Sequence, residues 1–207
     1  MKNKGCQTRQ VIIAKALELF SVKGYFNTSI NDILEATGLT KGGLYGHFQS
    51  KEALWDAAYD EAVKIWREII FRDIKETMNP LERIRRLIRN DMCNYLGKEV
   101  FPGGCFFLNM LVELAGQSEE MKKRILRGFK GVERLITSWL KEAEQMGIVV
   151  PGLDHEEISN FIFITLNGAA ALYAATRDPK VWRRTVNQLS VYLKNFETQE
   201  VCSDGKG

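Results

Sequence analysis

The sequence has 207 residues, of which 45% are apolar and 27% are charged, and its formal net charge is +3. This composition excludes a disordered or fibrous chain and suffices for one or two packed domains. The charge is uneven, because residues 1–51 hold seven basic against three acidic side chains, a net charge of +4 that leaves −1 for the remainder. A cationic N-terminal part on a nearly neutral body is the pattern expected of a DNA-binding protein whose second part has another role.

A metal site, a cofactor and a membrane span are not expected. The four cysteines, Cys6, Cys93, Cys105 and Cys202, form no Cys-x-x-Cys pair and lie at no ligand spacing from a histidine, so neither zinc nor a disulfide framework is indicated. The most apolar run, 158–175, is slightly shorter than the roughly 20 residues of a membrane helix and is interrupted by polar residues. With no secretory signal pattern at the N-terminus, the expected location is the cytoplasm.

A first helix is predicted from about residue 8 to residue 23, after a polar and frayed segment 1–7, and Gly24 ends it. The aromatic pair Tyr25 and Phe26 follows. We expect this pair to pack beneath the next two helices rather than to contact DNA directly.

The next stretch predicts a helix-turn-helix unit. Ser29 can cap the first short helix, Gly38 ends it, and Thr40 can cap the second. Leu44 and Phe48 give the second helix one buried side. The unit could be any helical hairpin, so its exposed side decides what it binds.

The exposed side of the second short helix carries Lys41, Gly42, Gly43, Tyr45 and His47, and it has no aliphatic residue. Two glycines in a helix cost about 1 kcal/mol each relative to alanine. They allow the backbone to approach base edges or phosphates, while the phenol and the lysine can donate to phosphate oxygens. The pattern therefore favours DNA as the partner.

The rest of the chain predicts further helices and no strand or internal repeat. Ser50 can cap a long helix from residue 51 to about residue 77, which would connect the two parts of the molecule rigidly. Helices are then predicted at about 80–96, 105–115, 118–147 and 154–176, with a last one, after a turn at 178–179, up to about residue 196. The polar tail 198–207 is expected to be disordered. The fold class is all-α.

Three motifs within residues 16–54 carry a resemblance to a known family: Ala-Leu-Glu-Leu-Phe, Thr-Ser-Ile-Asn-Asp-Ile and Thr-Gly-Leu-Thr-Lys-Gly-Gly-Leu-Tyr-Gly-His-Phe. They resemble the DNA-binding domain of TetR-type (TetR/AcrR) transcriptional regulators. The resemblance implies a three-helix DNA-binding domain at 1–50 and a larger helical domain at 51–197 for effector binding and dimerisation. It also implies a homodimeric repressor that binds palindromic double-stranded operator DNA and is released by a small molecule. Because the body has little net charge and many Phe, Met and Trp residues, we expect this effector to be apolar or aromatic.

The resemblance, together with the exposed pattern, places the expected DNA contacts at Thr28, Ser29, Thr40, Lys41, Gly42, Gly43, Tyr45, His47 and Lys51. Tyr45 and Lys51 match positions at which the family contacts phosphate. His47 precedes Phe48 on the expected recognition helix, and a purely structural role for it stays open.

The body is expected to hold the effector pocket and the dimer interface. Candidate pocket residues are apolar, and any helical core would equally need them: Phe101, Phe106, Phe107, Met110, Trp139, Phe161 and Phe163. The candidate interface lies on the last two helices, at Gly168, Ala170, Leu172, Tyr173, Trp182, Leu189, Val191 and Leu193. Cys105 is either a redox-active thiol or a small buried hydrophobe.

Two other classes of protein compete with a ligand-responsive regulator. Catalysis would need a nucleophile with its base, a metal cluster or a phosphate loop, and the sequence, with two histidines far apart, assembles none of them; we expect no enzyme. A DNA-binding or architectural protein without any effector stays open.

Overall fold

The structure is a computed structural model that describes residues 2–198, without the side chains of residues 2–4. Its helices are α1 Lys2–Lys23, α2 Ile30–Thr37, α3 Lys41–Tyr45, α4 Lys51–Ile70, α5 Pro80–Arg89, α6 Phe106–Leu114, α7 Glu119–Gln145, α8 His155–Thr176 and α9 Lys180–Lys194. A 3₁₀ turn, Ile74–Glu76, follows α4, and a π-helical segment, Asn90–Leu96, continues α5. Between residues 2 and 198 the only β pairing is the isolated bridge of Val149 with Glu197. The predicted all-α class is confirmed.

We call residues 2–50 the head and residues 51–198 the body. In the head, Ser29 caps α2 in a reciprocal arrangement with Asp32: the Ser29 hydroxyl accepts from the Asp32 amide, and the Asp32 carboxylate accepts from the Ser29 amide. Gly38 ends α2 in the left-handed conformation, with φ 66°, where a glycine carries no Cβ penalty. Thr40 then caps α3 by accepting from the Gly43 amide. The predicted helix-turn-helix is present.

The core of the head lies between α1 and the two short helices. Phe20 and Ile33 are fully buried, and Leu44 and Phe48 are nearly so. The two predicted buried positions of the second short element are therefore part of this core. Its opposite side is left to solvent.

The helix after the head is shorter than predicted. α4 ends at Ile70, and Asp73 then adopts a left-handed backbone with φ 61°, so the prediction of a continuous helix to residue 77 is wrong. The Asn90 side-chain amide donates to the carbonyl oxygens of Ile70 and Arg72, at 3.0 Å each. A residue distant in sequence thus satisfies the carbonyls at this helix end.

The chain ends and α5 also differ from the sequence predictions. α1 already begins at Lys2, so its first turns are helical rather than frayed. The predicted 80–96 helix is α-helical only as far as Arg89 and π-helical from Asn90. At its end, the Gly97 amide donates to the Met92 carbonyl, five residues earlier, at 2.9 Å. Thr198, predicted to be disordered, donates to the Ile148 carbonyl at 3.0 Å; the rest of the predicted tail, 199–207, lies outside the described residues.

The body is a bundle in which α8 packs against α7 and α9, while α7 also packs against α5 and α6. In the described part of the chain, α8 alone is long and apolar enough to cross a membrane by length and composition, and 39% of its most apolar stretch is buried. Such a helix is also found in the core of soluble proteins, so it is weak evidence for a membrane span.

Candidate nucleic-acid interface and internal cavity

The exposed face of α3 presents the predicted set of residues. Lys41, Gly42 and Gly43 are exposed at its N-terminal end, and the Tyr45 side chain is 42% exposed. Thr40 is also exposed, and its hydroxyl accepts from the Gly43 amide at 3.2 Å. The face has a cation, a phenol and bare backbone close together, which are groups that proteins use to bind phosphate and base edges.

The fold itself does not require the two glycines of α3. A Cβ built on Gly42 would have no atom within 4 Å, and one on Gly43 would lie 3.4 Å from the Thr40 hydroxyl. Neither glycine is among the residues with positive φ. Their missing side chains therefore leave the backbone open only toward the outside.

Two of the predicted DNA contacts have their donors engaged inside the protein. Thr28 is completely buried, and its hydroxyl donates to the Gly24 carbonyl at 2.6 Å, so the prediction that its side chain contacts DNA is wrong. The sequence alone could not show that Thr28 is buried while the adjacent Ser29 is exposed. Ser29 is exposed, but its hydroxyl donates to the Asp32 carboxylate at 2.6 Å; its contact with DNA stays a prediction.

The electrostatics at the start of α2 explain the Ser29 arrangement. Asp32 accepts from the Lys23 ammonium at 2.7 Å and from Ser29. The Lys23 hydrogen bond, followed by those from Ser29, lowers the pKa of the Asp32 carboxyl far below its usual range. This carboxylate already occupies the N-terminus of α2, where an anion is otherwise favoured.

His47 does not lie on the recognition helix. α3 ends at Tyr45, and Gly46 follows as its cap. The half-buried His47 lies in the turn after it, where its amide donates to the Leu44 carbonyl at 2.9 Å. Its predicted position in the helix is wrong by two residues, because α3 ends at Tyr45, and its contact with DNA stays a prediction.

Lys51, the first residue of α4, is half-buried, and its ammonium lies 4.2 Å from the centre of the Tyr25 ring. Burial lowers the pKa of Lys51, while the nearby Glu113 and Glu52 carboxylates raise it. The exposed Arg9 has its guanidinium 4.8 Å from the centre of the Phe48 ring. Sequence reasoning did not select Arg9, because its proximity to the α3 region is created by the fold.

The head is held to the body by a carboxylate that sequence reasoning also missed. Glu113 of α6 accepts from the backbone amides of Tyr25 and Phe26, at 2.8 Å each. A Cβ on Gly24 would lie 2.6 Å from that carboxylate. This contact, which we call the Glu113 clamp, fixes the end of α1 against α6.

The body contains a cavity of about 980 Å³ that is partly open to solvent. Of the predicted pocket residues, Phe107, Trp139 and Phe163 line it. Phe101, Phe106 and Met110 are buried in the core but do not line the cavity, and Phe161 is 48% exposed with its ring 4.6 Å from that of Tyr192; the pocket prediction is wrong for these four. Aromatic composition could not distinguish the lining of a cavity from the packed core around it.

One wall of the cavity comes from α4, which the sequence analysis treated as a connector. Tyr59, Val63 and Trp66 line it at helical spacing, and Phe71 lies just beyond the helix. Their spacing is visible in the sequence and could have indicated this wall. The helix that starts at the head therefore also forms part of the cavity.

The cavity also has polar groups on the π-helical segment. Asp91 and Tyr95 line it, and the Trp66 indole donates to the Asp91 carboxylate at 3.3 Å. Cys105 lies beside them, 3.8 Å from the Tyr95 hydroxyl. Burial raises the pKa of the Cys105 thiol to about 11, so it stays protonated at neutral pH, which disfavours the redox-active alternative.

The predicted interface residues divide into two groups. Leu172 is 60% exposed, and Gly168 is also exposed. Four others are buried within the protomer and cannot contact a partner chain, so the interface prediction is wrong for them: Ala170, Tyr173, Leu189 and Leu193. Trp182 is half-buried and packs against Gly97.

The exposed apolar surface of the last two helices contains two residues that the interface prediction did not include, Phe161 and Ile164. Phe161 and Ile164 share one side of α8 with Gly168 and Leu172, and Val191 of α9 is 63% exposed. We call these five residues the apolar face. The sequence shows that both helices are apolar but not which side each of them buries.

A helix-turn-helix head with a basic, glycine-containing face, joined to a helical body, is the architecture of a class of DNA-binding transcriptional regulators. Residues 12–58 match the family described as bacterial regulatory proteins, tetR family, and residues 80–189 match the tetracyclin repressor-like C-terminal domain. The chain belongs to the TetR family of transcriptional regulators.

Individual relatives agree with this assignment. A TetR regulator structure from Chloroflexus aurantiacus is 28% identical, covers 94% of this chain and 98% of its own, and superposes with a TM-score of 0.88. The repressor DhaR of Mycobacterium is 27% identical over 78% of this chain and 79% of its own. The regulator CifR, 21% identical, shares the fold with a TM-score of 0.74 over 90% of this chain and 95% of its own, and its structure contains 26-base-pair operator DNA. These proteins are regulators, and this chain is a regulator rather than an enzyme.

Proposed function

We propose that the chain is a cytoplasmic repressor that binds palindromic operator DNA as a homodimer and releases it when a small molecule enters the body cavity. The observation that carries the proposal is the shared helix: α4 begins at Lys51 beside the DNA-binding head and lines the cavity with Tyr59, Val63 and Trp66. A ligand that moves this wall also moves the helix that supports the head. The proposed division into two domains, 1–50 and 51–197, follows the same boundary.

Two heads are needed for a useful operator. One short recognition helix reads few base pairs, and a two-fold dimer that places two such helices about 34 Å apart matches successive major grooves on a palindrome. The apolar face on α8 and α9 is the surface we assign to pairing. Gly168 in its middle, with nothing within 4 Å of a built Cβ, allows close approach of a partner helix.

The Glu113 clamp offers a second connection between cavity and head. Phe107 of α6 lines the cavity, and Glu113, six residues later on the same helix, holds the amides of Tyr25 and Phe26. α4 and α6 can therefore both transmit a displacement of the cavity wall. A small change in their angle would alter the separation of the two recognition helices.

The test is a DNA-binding measurement with duplexes selected from a random pool by the full-length protein. Ligands found to bind the cavity by calorimetry are then added to the complex. The expected result is a tenfold to hundredfold loss of operator affinity, a coupling of about 1.4 to 3 kcal/mol, and an equal loss of ligand affinity in the presence of operator.

The competing outcome is a selected duplex that binds with unchanged affinity whatever occupies the cavity. That result would make the protein an effector-independent DNA-binding protein. Failure to select any duplex would refute the DNA-binding role itself.

A further inference from the structure

Asp91 is a carboxyl group that lines a cavity made mostly of aromatic and aliphatic side chains. Its hydrogen bond comes from the neutral Trp66 indole at 3.3 Å. Among the ion pairs of the described residues, Asp91 takes part in none. Asp91 is half-buried, and a carboxylate that is partly removed from water without a cation beside it is costly, because burial removes its hydration.

The walls around Asp91 suit an apolar ligand body. The Trp66 ring lies edge-on to Phe107 and to Phe71, with ring centres 6.2 Å and 6.1 Å apart. On the α7 and α8 side, Phe129 and Phe163 also line the cavity, with ring centres 5.1 Å apart. Aromatic faces of this kind attract cations as well as apolar groups.

The basic groups at the cavity do not neutralise Asp91. Arg83 pairs with Glu142 at 2.9 Å and donates to the Thr77 carbonyl. Arg67 and Lys75 are exposed, and the Arg67 guanidinium lies 5.6 Å from the centre of the Phe71 ring. Solvent and salt screen such exposed charges, so the charge that a ligand meets inside the cavity is negative.

The position of Asp91 is fixed by the local fold. It belongs to the π-helical segment, whose first residue, Asn90, is tied to the end of α4 through the carbonyls of Ile70 and Arg72. π-helical turns occur frequently at functional sites. The carboxyl group is therefore held on the same wall of the cavity as Trp66, close to the end of α4.

We propose that the effector is an amphipathic monocation, an apolar or aromatic body carrying one protonated amine, whose ammonium group pairs with Asp91 while the body lies between the aromatic walls. This inference rests on the proposed role of the cavity as an effector site and adds the chemical class of the ligand. The ammonium supplies the missing counter-charge, and a charge-assisted hydrogen bond at a partly buried site is stronger than a neutral one. Asp91 is the residue that determines this specificity.

The test compares two probes of nearly equal size and shape, naphthylmethylamine and naphthylmethanol, by calorimetry on the full-length protein near neutral pH. The amine is expected to bind about tenfold or more tightly than the alcohol. In Asp91→Asn, which keeps an oxygen acceptor for the Trp66 indole, the two affinities should become equal within about twofold. Glu68→Gln, a change at an exposed acid on the cavity rim, is the matched control and should leave the preference intact.

Equal affinities in the wild type, a preference for the alcohol, binding of neither probe, or an amine preference that persists in Asp91→Asn would each overturn the inference. The operator assay separates this from the proposed function. If a neutral or anionic compound binds the cavity and releases DNA, the regulator proposal holds while the amine inference fails. If the amine binds through Asp91 without weakening operator binding, the site is correctly assigned and the proposed effector response is wrong.

Discussion

Asp91 is maintained at a cost to the fold that can be measured as a function of pH. Burial raises the pKa of its carboxyl from 3.8 to about 6, with the Trp66 hydrogen bond opposing the increase. The folded state therefore holds this proton more tightly than the unfolded state does. Stability contributed by the protonated form is present below about pH 4 and is lost as the pH rises through about 6.

We expect Asp91→Asn to remove that pH-dependent loss. The difference between the two pKa values corresponds to at most about 3 kcal/mol, so the free energy of unfolding of the variant, relative to wild type, should increase by up to this amount between pH 4 and pH 7.5. Urea unfolding at the two pH values measures it, with Glu120→Gln on the exposed start of α7 as control. A variant that follows the wild type at both pH values would show that the carboxyl group is not buried as described.

Gly42 provides a second measurement at the residue scale. Because the fold leaves space for a Cβ there, Gly42→Ala should stabilise the free protein by up to about 1 kcal/mol. The same methyl group would project toward DNA and is expected to weaken operator binding about tenfold, equivalent to about 1.4 kcal/mol. Gly131→Ala, at an exposed glycine within α7 that also has nothing within 4 Å, should stabilise without affecting DNA binding.

Higher stability together with weaker operator binding would distinguish a clash of the Gly42→Ala methyl group with DNA from simple misfolding of the variant. If Gly42→Ala bound the operator as well as wild type does, close approach of the α3 backbone to DNA would be excluded as the reason for that glycine.

At the scale of elements, the Glu113 clamp connects α6 to the end of α1. Glu113→Ala leaves the amides of Tyr25 and Phe26 without their carboxylate acceptor, and we expect a loss of about 1 to 2 kcal/mol in the free energy of unfolding. Glu113→Gln keeps one acceptor oxygen, so its free energy of unfolding should lie between those of wild type and Glu113→Ala. Glu35→Ala, at an exposed acid of α2, should change stability by less than about 0.5 kcal/mol. Equal effects of the alanine variants in urea unfolding would contradict the clamp.

The sequence predicted those elements whose start and end depend on neighbouring residues. Ser29, Gly38 and Thr40 define α2 and the start of α3 through local capping, and the Asn79 and Asp154 caps do the same for α5 and α8. The end of α4 could not be predicted, because it depends on hydrogen bonds from Asn90, 20 residues away from Ile70. The π-helical segment has no comparable local signal.

In the candidate sites too, features that depend on neighbouring residues could be predicted, and features that depend on distant residues could not. The exposed face of α3 could be predicted because Lys41 and Tyr45 lie opposite Leu44 on one short element. The cavity lining could be predicted only in part, because whether an apolar side chain faces a cavity or the packed core depends on several helices at once. Asp91 was missed since one carboxyl in a helical sequence does not reveal that the fold will partly bury it.

At the scale of the whole molecule, the proposed dimer requires a surface on which two chains meet. The five residues of the apolar face are exposed in one chain, while Ala170, Leu189 and Leu193 are buried within it. A charge introduced at Ala170 would therefore disturb the protomer's own core. Leu172, 60% exposed on the same helix, is the position at which a charge tests pairing alone.

We expect Leu172→Arg to convert a dimer into a folded monomer, because an unpaired guanidinium would be buried at the centre of the interface. Sedimentation velocity measures the mass, and circular dichroism should show unchanged helix content. Met146→Arg, at a 53% exposed methionine at the end of α7, is the matched control and should remain dimeric. The monomer should also lose operator affinity far more than nonspecific affinity, since a single head contacts one half-site and gains nothing from a palindrome. A monomeric wild type would refute the two-fold arrangement entirely, whereas a dimeric Leu172→Arg protein would move the interface away from the apolar face and leave the DNA-binding head unaffected.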